Sequence, residues 1–429
     1  MNFYSLSQTE AREKLMWEKW FSTPLWKRIL AALVLGAVVG FLWGDGAASI
    51  RWVGDLFVRL IRMVVVPLIF VTLVSGVVSM GDPAKLGSLG VKTLGIYMGT
   101  TLIAITIGLT LAAILQPGVG VDLSAAVPTE VQAAIPLAER LLSIVPENPI
   151  AALAEGNILA IIFFALLVGI SVLAVGQRAK PIGDLMGAGS DIMLRITHWV
   201  MEVAPFGVFA LIAWVAGTQG LGAMLDVILL ALAVVLGCVV HVVLVHSSIL
   251  KFGLKLSPIR FFRGARDAML LAFSTSSSSA TLPVTMTVAE DNLGIKPVVA
   301  STVLPLGATI NMDGTALYVG IVSVFAAQAF GLDLGLMDYV VMAGATTLVS
   351  IGTAAVPGAS LFLMAAVMDT IGLSPEQIAV VVGFVLPFDR PLDMLRTCVN
   401  VTGDLSVATV VANWEGEFDE GRFKAPIRY

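Results

Sequence analysis

Six long apolar runs in the first 250 residues limit what this chain can fold into. Each run approaches the roughly 20 residues that cross the hydrocarbon core of a bilayer. The runs are residues 29–43, 63–80, 96–115, 158–175, 200–217 and 225–246. Because backbone polar groups in lipid must be satisfied within their own segment, such runs predict spanning α-helices. Only 13% of the residues are charged, and six such helices would be improbable in a soluble α-helical protein. We therefore predict an all-α polytopic membrane protein.

The distribution of charge predicts the orientation of these helices. Residues 1–28 carry five basic side chains, and the loop 250–266 carries five more without an acid. Residues 117–147 are acidic, with four carboxylates against one arginine. Since basic loops stay in the cytoplasm, we predict a cytoplasmic N-terminal segment, residues 1–28, and six membrane helices within residues 29–250. The segment 117–147 then lies outside, the loop 250–266 inside, and the protein in the inner (plasma) membrane.

The cysteines and histidines indicate no further site. Cys238 and Cys398 lie far apart in apolar segments, so no disulfide framework is expected. His198, His241 and His246 are scattered along the chain, and we interpret them as packed or interfacial side chains rather than metal ligands.

Beyond residue 256 the apolar pattern is broken four times by polar stretches that contain Gly or Pro. The breaks are residues 274–283, 305–318, 350–360 and 389–404. Irregular backbone at membrane depth is tolerated only where it is buried in protein or lines an aqueous cavity. The breaks therefore predict a binding site in the last third of the chain.

Two of the breaks are small-residue tips between apolar arms that are too short to span a bilayer. Each arrangement predicts a re-entrant helical hairpin followed by a long, interrupted helix. A hairpin and broken helix that occur twice predict inverted repeats around a binding site near the membrane midplane. The predicted segments are hairpins at about 258–292 and 335–373, helices at about 295–330 and 376–414, all within a transport core of residues 251–414, and a cytoplasmic tail of residues 415–429.

The four serines from Ser276 to Ser279 occupy the first tip. The half-helix that starts there has unpaired backbone N–H groups and partial positive charge at its N-terminus. Serines allow close backbone approach and add hydroxyl donors, so a carboxylate is the natural ligand. A flexible Ser-rich linker would not be flanked so tightly by apolar residues.

Six polar residues form one stripe on the last predicted helix. Their spacings of 4, 3, 1, 3 and 4 place them within a face roughly 100° wide. A charged stripe on an otherwise apolar helix faces protein or water rather than lipid. The six residues are Asp389, Asp393, Arg396, Thr397, Asn400 and Asp404.

The stripe offers two kinds of chemistry. Arg396 can hold a carboxylate through two hydrogen bonds, and Asp393, one turn earlier, can hold an ammonium group. Asp404 lies two turns beyond Arg396, and with Asn311 and Asp313 it offers oxygen ligands for a small cation. Backbone carbonyls freed where the preceding helix breaks, at Gly307 or Gly314, could complete that shell.

Four segments together resemble the dicarboxylate/amino acid:cation symporter family, which includes archaeal sodium–aspartate transporters and animal glutamate transporters. They are "SSSSATLP" (276–283), "PLGATINMDGTALY" (305–318), "GTAAVPGAS" (352–360) and "DMLRTCVNVTGD" (393–404). The resemblance covers nearly the whole chain. It implies eight transmembrane helices, two re-entrant hairpins, a homotrimer and an elevator mechanism, with helices 1, 2, 4 and 5 as scaffold and the remainder as a moving transport domain.

The resemblance also implies ligands for substrate and sodium. The implied substrate ligands are Ser277, Ser278, Met312, Thr315, Asp393, Arg396, Thr397 and Asn400, with the backbone of Ala355, Val356, Pro357 and Gly358 in the second tip. Three sodium sites are implied: Gly307, Asn311, Asn400 and Asp404; Thr309, Ser350, Ile351 and Thr353; and Tyr97, Thr100, Thr101, Asn311 and Asp313.

The chain departs from the family pattern at two points. An arginine that archaeal members carry before the first-tip serines is Ser276 here, and the position that holds it in animal glutamate carriers is Met394. Arg390 is the nearest candidate to replace it. Val319 stands where animal glutamate carriers have an acid, so that residue cannot couple transport to a proton.

The favoured function is sodium-coupled symport of aspartate or glutamate, between which the sequence does not choose. Same-fold carriers of C4-dicarboxylates or neutral amino acids, and a proton-coupled carrier, stay open as alternatives. Asp393 would lack an amine in the first case, and Arg396 would lack a carboxylate in the second. A membrane serine hydrolase is disfavoured because no histidine lies near the serine run. We expect no enzymatic activity, no cofactor other than sodium as coupling ion, and no nucleic-acid partner.

Overall fold

The computed structural model describes residues 23–79, 83–121, 145–218, 220–351 and 360–427, together with positions 123 and 142. These residues are almost entirely helical, and the only strand-like pairing among them is an isolated bridge between Ile295 and Phe418. The helices are α1 (Leu25–Trp43), α2 (Arg51–Ser79), α3 (Pro83–Leu115), α4 (Pro149–Glu155), α5 (Ile158–Val175), α6 (Lys180–Glu202), α7 (Ala204–Thr218), α8 (Gly220–Val240), α9 (Pro258–Thr275), α10 (Ser278–Asp291), α11 (Pro297–Ile310), α12 (Asp313–Ala329), α13 (Leu336–Ile351), α14 (Ser360–Thr370), α15 (Pro375–Trp414) and α16 (Glu420–Lys424).

Within the described residues, five helical stretches are long and apolar enough to cross a membrane. They are Lys27–Leu60, Leu89–Leu115, Ala160–Glu202, Ile228–Gly253 and Pro297–Ala329. The chain is thus a helical, multi-pass membrane protein, as the apolar runs predict. The total of eight spans and the orientation of the termini stay predictions.

The described residues divide into two compact units, of which the first lies within Met1–Leu60 and His198–Met224. In the described part of this unit, α1 packs against α7. Gly36 and Gly40 lie one turn apart on α1, and a Cβ atom at Gly36 would come within 2.7 Å of the backbone oxygen of Phe209 on α7. Small residues at this spacing let two membrane helices pack at short range, where dispersion replaces the hydrophobic effect as the driving force.

The described residues of the second unit lie within Ile61–Thr197 and Leu225–Tyr429 and include every described residue of the predicted site. Its centre is α12, which is buried along nearly all of its length and packs against α3, α13, α14 and α15. The helices α9, α10 and α11 also contact α15. A polar residue on α12 or α15 is therefore removed from solvent by surrounding helices, which raises the cost of leaving it without a partner.

The predicted interruptions of the two long helices are correct in one case and wrong in the other. The first helix breaks at Asn311 and Met312, between α11 and α12, and not at Gly307 or Gly314 as expected. The last is one continuous helix of 40 residues. Its polar stretch needs no break, because its charged side chains pair with one another along the same helical face.

The arms of the two predicted hairpins are helical where they are described. α9 and α10 are in contact and flank the first tip, and α13 and α14 are in contact and flank the second. The second tip, residues 352–359, lies outside the described residues. Whether these arms enter and leave the membrane on one side stays a prediction.

Candidate functional site

Arg396 is fully buried on α15, and both ends of its guanidinium are engaged. Nη1 donates a hydrogen bond to Oδ1 of Asp389 over 2.9 Å, and Nη2 donates one to Oδ1 of Asp393 over 2.8 Å. Nη2 also donates to Oγ of Ser360, the first residue of α14, over 2.6 Å. The guanidinium carbon lies 3.8 Å from the ring centroid of Tyr318 on α12. Two carboxylates and an aromatic face therefore hold a buried positive charge in a fixed position.

A second buried arginine lies beside this cluster. Nη1 of Arg390 is 3.6 Å from Oδ2 of Asp393, which is an ion-pair distance rather than a hydrogen bond. Nη1 and Nε of Arg390 have no hydrogen-bond partner among the described residues. With Asp389 and Arg396, the cluster contains two carboxylates and two guanidiniums, so its formal charges cancel.

Asn311 connects the helix break to the far end of α15. Its Nδ2 donates to Oδ1 of Asp404 over 2.9 Å and to the backbone oxygen of Asn400 over 3.1 Å. Its Oδ1 is buried and has no hydrogen-bond partner among the described residues. A Cβ atom at Gly307 would collide with the Asp404 carboxylate and the Tyr97 hydroxyl. Several oxygen atoms thus converge beside a glycine that leaves room for them.

The side chain of Asn400 stabilises the start of α12. Its Oδ1 accepts a hydrogen bond from the backbone N–H of Gly314 over 2.8 Å, which satisfies one of the unpaired donors of a helix N-terminus. Its Nδ2 lies 3.3 Å from Sδ of Met312 and 3.4 Å from Oγ1 of Thr315. Thr397, one turn before Asn400 on the same face, donates its hydroxyl to the backbone oxygen of Asp393. The predicted substrate ligands of the break and of α15 are therefore in direct contact.

Asp313, the first residue of α12, is fully buried and has four polar neighbours. Its Oδ1 accepts a hydrogen bond from Thr101 of α3 over 2.7 Å and lies 3.4 Å from the hydroxyl of Thr100. Its Oδ2 lies 3.0 Å from Nε2 of His241 and 3.9 Å from Nε2 of His246. The structure thus brings Thr100 and Thr101 to Asp313, as the resemblance implies, and adds two imidazoles.

A π-helical segment, His241–His246, explains why the two histidines meet. In an α-helix, residues five apart point about 140° away from each other. In a π-helical turn, whose hydrogen bonds run from i to i+5, they lie nearly above one another. The ring centroids are 4.9 Å apart and the rings are nearly perpendicular. The interpretation of these two histidines as packed side chains is confirmed by their burial, but the expectation that they are scattered is wrong.

The serines of the first tip end α9 and begin α10. Ser276 adopts a left-handed conformation with φ of 52° and closes α9. Ser277 is the N-cap of α10, and its Oγ accepts a hydrogen bond from the backbone N–H of Ala280 over 3.2 Å. Ser278 follows as the first, buried residue of α10. Since a helix begins at this point, its first-turn N–H groups are directed toward the tip.

The remaining predicted ligands either bond to their own helices, lie on α3, or fall outside the described residues. The hydroxyls of Thr309 and Ser350 each donate to carbonyls of their own helices. Ile351 ends α13, and its side chain is outside the described part of the chain. Tyr97 is buried on α3 and donates to the backbone oxygen of Val303 over 3.1 Å. Outside the described residues lie Thr353, Ala355, Val356, Pro357 and Gly358.

Several residues of this site were not identified as ligands from the sequence. Asp389 shares the helical face of Arg396, seven residues away, so its pairing could have been found from the period alone. Ser360 closes the second small-residue stretch but carries no distinguishing signal. Tyr318 and the histidine pair depend on contacts between helices that a single sequence does not reveal.

Buried charge pairs on helices that surround a helix break are typical of membrane carriers. Residues 25–414 match the model of the sodium:dicarboxylate symporter family. The chain belongs to this family, whose members are transporters.

Curated relatives match along nearly their whole length. The chain is 38% identical over 412 residues to a proton/sodium-glutamate symport protein of Bacillus subtilis strain 168, covering 92% of this chain and 94% of the relative. It is 34% identical over 422 residues to a proton/glutamate-aspartate symporter of Escherichia coli strain K12, covering 91% and 93%. It is 31% identical over 416 residues to a C4-dicarboxylate transport protein of Azorhizobium caulinodans, covering 95% and 92%.

Proposed function

We propose that this protein is a cation-coupled symporter of acidic amino acids, with aspartate and glutamate as substrates and sodium as a coupling ion. The observation that supports this most strongly is the buried pairing of Arg396 with Asp393 on one face of α15. An acidic amino acid is a zwitterion with an additional carboxylate, and it offers a partner to both groups. The chain is proposed to carry it across the membrane unchanged, without catalysis.

The proposed substrate position follows the charges of the site. The side-chain carboxylate binds Arg396, and the ammonium group binds Asp393. The α-carboxylate is directed at the N-terminus of α10, near Ser277 and Ser278, and at the amide of Asn400. The resemblance adds Met312, Thr315, Thr397 and the backbone of residues 355–358.

The proposed main sodium position lies between α11 and α15. The residues fit a small hard cation, because the carboxylate of Asp404 and the buried, unpartnered Oδ1 of Asn311 are oxygen ligands. Gly307 lies beside the carboxylate of Asp404 and the hydroxyl of Tyr97. The resemblance adds Asn400 as a further ligand of this sodium ion. Further sodium positions follow from the resemblance, one at Thr309 and residues 350–353, and one at Asp313 with its neighbours on α3.

The proposed setting is the cytoplasmic membrane of the cell, with both termini inside and three copies in the assembly. The apolar surface supports the membrane setting. In the stretch Lys27–Leu60, only 17% of the most apolar window is buried within one chain. The rest requires lipid or another copy of the chain to cover it. The resemblance further implies that the transport core moves as an elevator.

The proposal is tested by uptake of labelled aspartate and glutamate into vesicles that contain the purified protein. Sodium, potassium and proton gradients are imposed one at a time, and unlabelled competitors are added in excess. We expect uptake driven by inward sodium and blocked by either acidic amino acid. Uptake driven by a pH gradient in the absence of sodium would instead favour a proton-coupled carrier, to which the names of several relatives also point.

Carriage of C4-dicarboxylates is the second candidate, because three relatives carry that name. Asp393 disfavours it, since a dicarboxylate without an amine leaves this buried carboxylate opposite another negative charge. Succinate should therefore compete with labelled aspartate far more weakly than glutamate does. Equal competition would make the dicarboxylate the better assignment.

A further inference from the structure

His241 and His246 form a cluster with Asp313, and the proposed symport assigns a role to Asp313 but none to the two histidines. All three side chains are fully buried, and one ligand atom from each lies within 4.8 Å of the other two. The two histidines come from one π-helical turn and the aspartate from the N-terminus of α12. Two imidazole nitrogens and a carboxylate oxygen are a common ligand set for zinc in proteins.

The nitrogens of His246 provide the second observation. Neither Nδ1 nor Nε2 has a hydrogen-bond partner among the described residues, although the side chain is fully buried. Its Nε2 lies 3.9 Å from Oδ2 of Asp313, too far for a hydrogen bond. A buried polar atom without a partner is costly, and Nε2 of His246 is directed at a carboxylate with which it is placed to share an ion.

Two of the three ligand separations lie close to those of a tetrahedral ion. Zinc binds imidazole nitrogen and carboxylate oxygen at about 2.0–2.2 Å, so two ligands of a tetrahedral site lie about 3.4 Å apart. The carboxylate oxygen of Asp313 is 3.0 Å from one imidazole nitrogen and 3.9 Å from the other, on either side of that value. Small side-chain rotations would place both nitrogens and the oxygen around one ion.

We propose that His241, His246 and Asp313 form a binding site for a divalent transition-metal ion of the zinc class. Sodium does not account for the cluster, because hard cations prefer oxygen whereas imidazole nitrogen favours Zn²⁺, Co²⁺, Ni²⁺ and Cu²⁺. The three residues leave a fourth tetrahedral position for a water molecule or the hydroxyl of Thr101, which lies on the other oxygen of Asp313.

Occupancy of this site inhibits transport. The carboxylate of Asp313 also belongs to the set of oxygens proposed for one coupling sodium, together with Thr100 and Thr101. A divalent ion on that carboxylate adds charge to the cluster and competes with sodium for it. This second half of the inference rests on the proposed function, whereas metal binding itself does not.

Metal binding is tested with Co²⁺ and tag-free, purified full-length protein in sodium-free buffer. Tetrahedral Co²⁺ absorbs visible light, so binding is read without any transport assay. We expect one Co²⁺ per chain, displaced by Zn²⁺ and weakened by added sodium. His246→Gln should weaken binding at least about 100-fold, beyond the loss of an outer-shell partner, while His198→Gln, at an exposed position, should bind as the wild type does.

A further variant distinguishes the loss of a metal ligand from misfolding of the protein. His246→Cys keeps a metal ligand and should restore Co²⁺ binding with the stronger colour of a thiolate complex. Absence of a tetrahedral Co²⁺ spectrum in the wild type would overturn the site. Equal Co²⁺ affinity of the wild type and His246→Gln would overturn it too.

The inhibitory half is tested in vesicles by sodium-driven aspartate uptake with added Zn²⁺ and then a chelator. We expect reversible inhibition of the wild type and of His198→Gln, and at least about 100-fold weaker inhibition of His246→Gln. Zn²⁺ that binds but leaves wild-type uptake unchanged would overturn the inhibitory role. If none of the proteins takes up aspartate, the proposed function fails, and the Co²⁺ spectra still decide the metal site.

Discussion

Arg396 and Asp393 show how charge pairing controls a buried binding site. Each is almost wholly removed from solvent, so neither can be left without a partner at small cost. Their pairing with Asp389 and Arg390 keeps the cluster neutral. Any ligand must therefore match the positions of these charges, and removal of one charge should change both affinity and substrate choice.

Arg396→Cys should abolish binding of acidic substrates and admit neutral amino acids. The substrate side-chain carboxylate would then meet the buried carboxylates of Asp389 and Asp393 without the positive charge that lies between them, which weakens binding about 100-fold or more. Calorimetric titration with aspartate and with serine at saturating sodium checks both expectations. Arg178→Cys, at an exposed position, is the matched control, and unchanged aspartate affinity in Arg396→Cys would refute the assignment of Arg396.

Arg390→Gln should slow net uptake more than exchange. In the empty carrier Arg390 balances Asp393, and in the loaded carrier the substrate ammonium does so. Loss of Arg390 then leaves Asp389 and Asp393 to share the single positive charge of Arg396 while the empty carrier returns, at a cost sufficient for at least tenfold slowing, roughly. Net uptake and substrate–substrate exchange are compared in the same vesicles.

Arg390→Lys is the control for this prediction, because it keeps the positive charge. We expect net uptake close to that of the wild type. An equal loss of net uptake and exchange in Arg390→Gln would place Arg390 in substrate binding instead.

At the scale of helices, α15 carries residues of both the proposed substrate position and the proposed sodium position. Arg396 and Asp404 are eight residues apart on one continuous helix, about 12 Å along its axis. The stripe was predictable from the sequence, because polar residues at spacings of three and four identify a single helical face. Its continuity was not, since the intrahelical pairing of Asp389 and Asp393 with Arg396 becomes visible only in three dimensions.

The break before α12 and the π-helical turn show the same limit. The polar composition of residues 305–318 predicts an interruption, but the break occurs at Asn311 because Asn400, on another helix, caps the N–H of Gly314. In an α-helix, the spacing of five between His241 and His246 would place the two side chains on different faces. Contacts between helices therefore decide the details of the site that the sequence pattern leaves open.

Asp404→Asn should weaken sodium binding and, through it, substrate binding. Asp404 and Asn400 both contact Asn311, so a cation at Asp404 orders residues that also meet the substrate. By linkage, each ligand raises the affinity of the other by the same factor. Titration of aspartate at several sodium concentrations should show steep dependence, with more than one ion, in the wild type.

For Asp404→Asn the curve should shift to higher sodium, and saturating sodium should partly restore aspartate affinity. Asp267→Asn, on α9 and outside the site, is the control. Aspartate affinity that stays constant as sodium varies, in the wild type, would contradict sodium coupling.

At the scale of the whole molecule, the chain exposes more apolar surface than a soluble protein tolerates. Leu42, Trp52 and Met63 are each at least 60% exposed, as are other large apolar side chains on long helices. Lipid covers such surfaces in a membrane, and so do neighbouring copies. The multi-pass character was evident from the sequence, whereas assembly depends on surfaces whose partners are other molecules.

We expect three copies in the assembly. Native mass spectrometry of detergent-solubilised protein should give about three times the chain mass of 45.1 kDa, and chemical crosslinking should give a trimer band. Arg59, exposed on α2, should become protected from modification in the trimer or lie at the membrane interface. A purely monomeric species under mild detergent conditions would refute this.

The two carboxylates on Arg396 have a consequence for the thermodynamics of recognition. The guanidinium already has partners when the substrate arrives, so binding is an exchange of one carboxylate for another rather than the capture of a ligand by a vacant charge. The number of ion pairs on Arg396 changes little, and affinity becomes a small difference between similar energies. Selectivity between substrates then depends on the interactions available to the carboxylate that the substrate displaces from Arg396. A ligand with an ammonium group gives the displaced Asp393 a new close partner, and one without it leaves that buried carboxylate with the more distant Arg390.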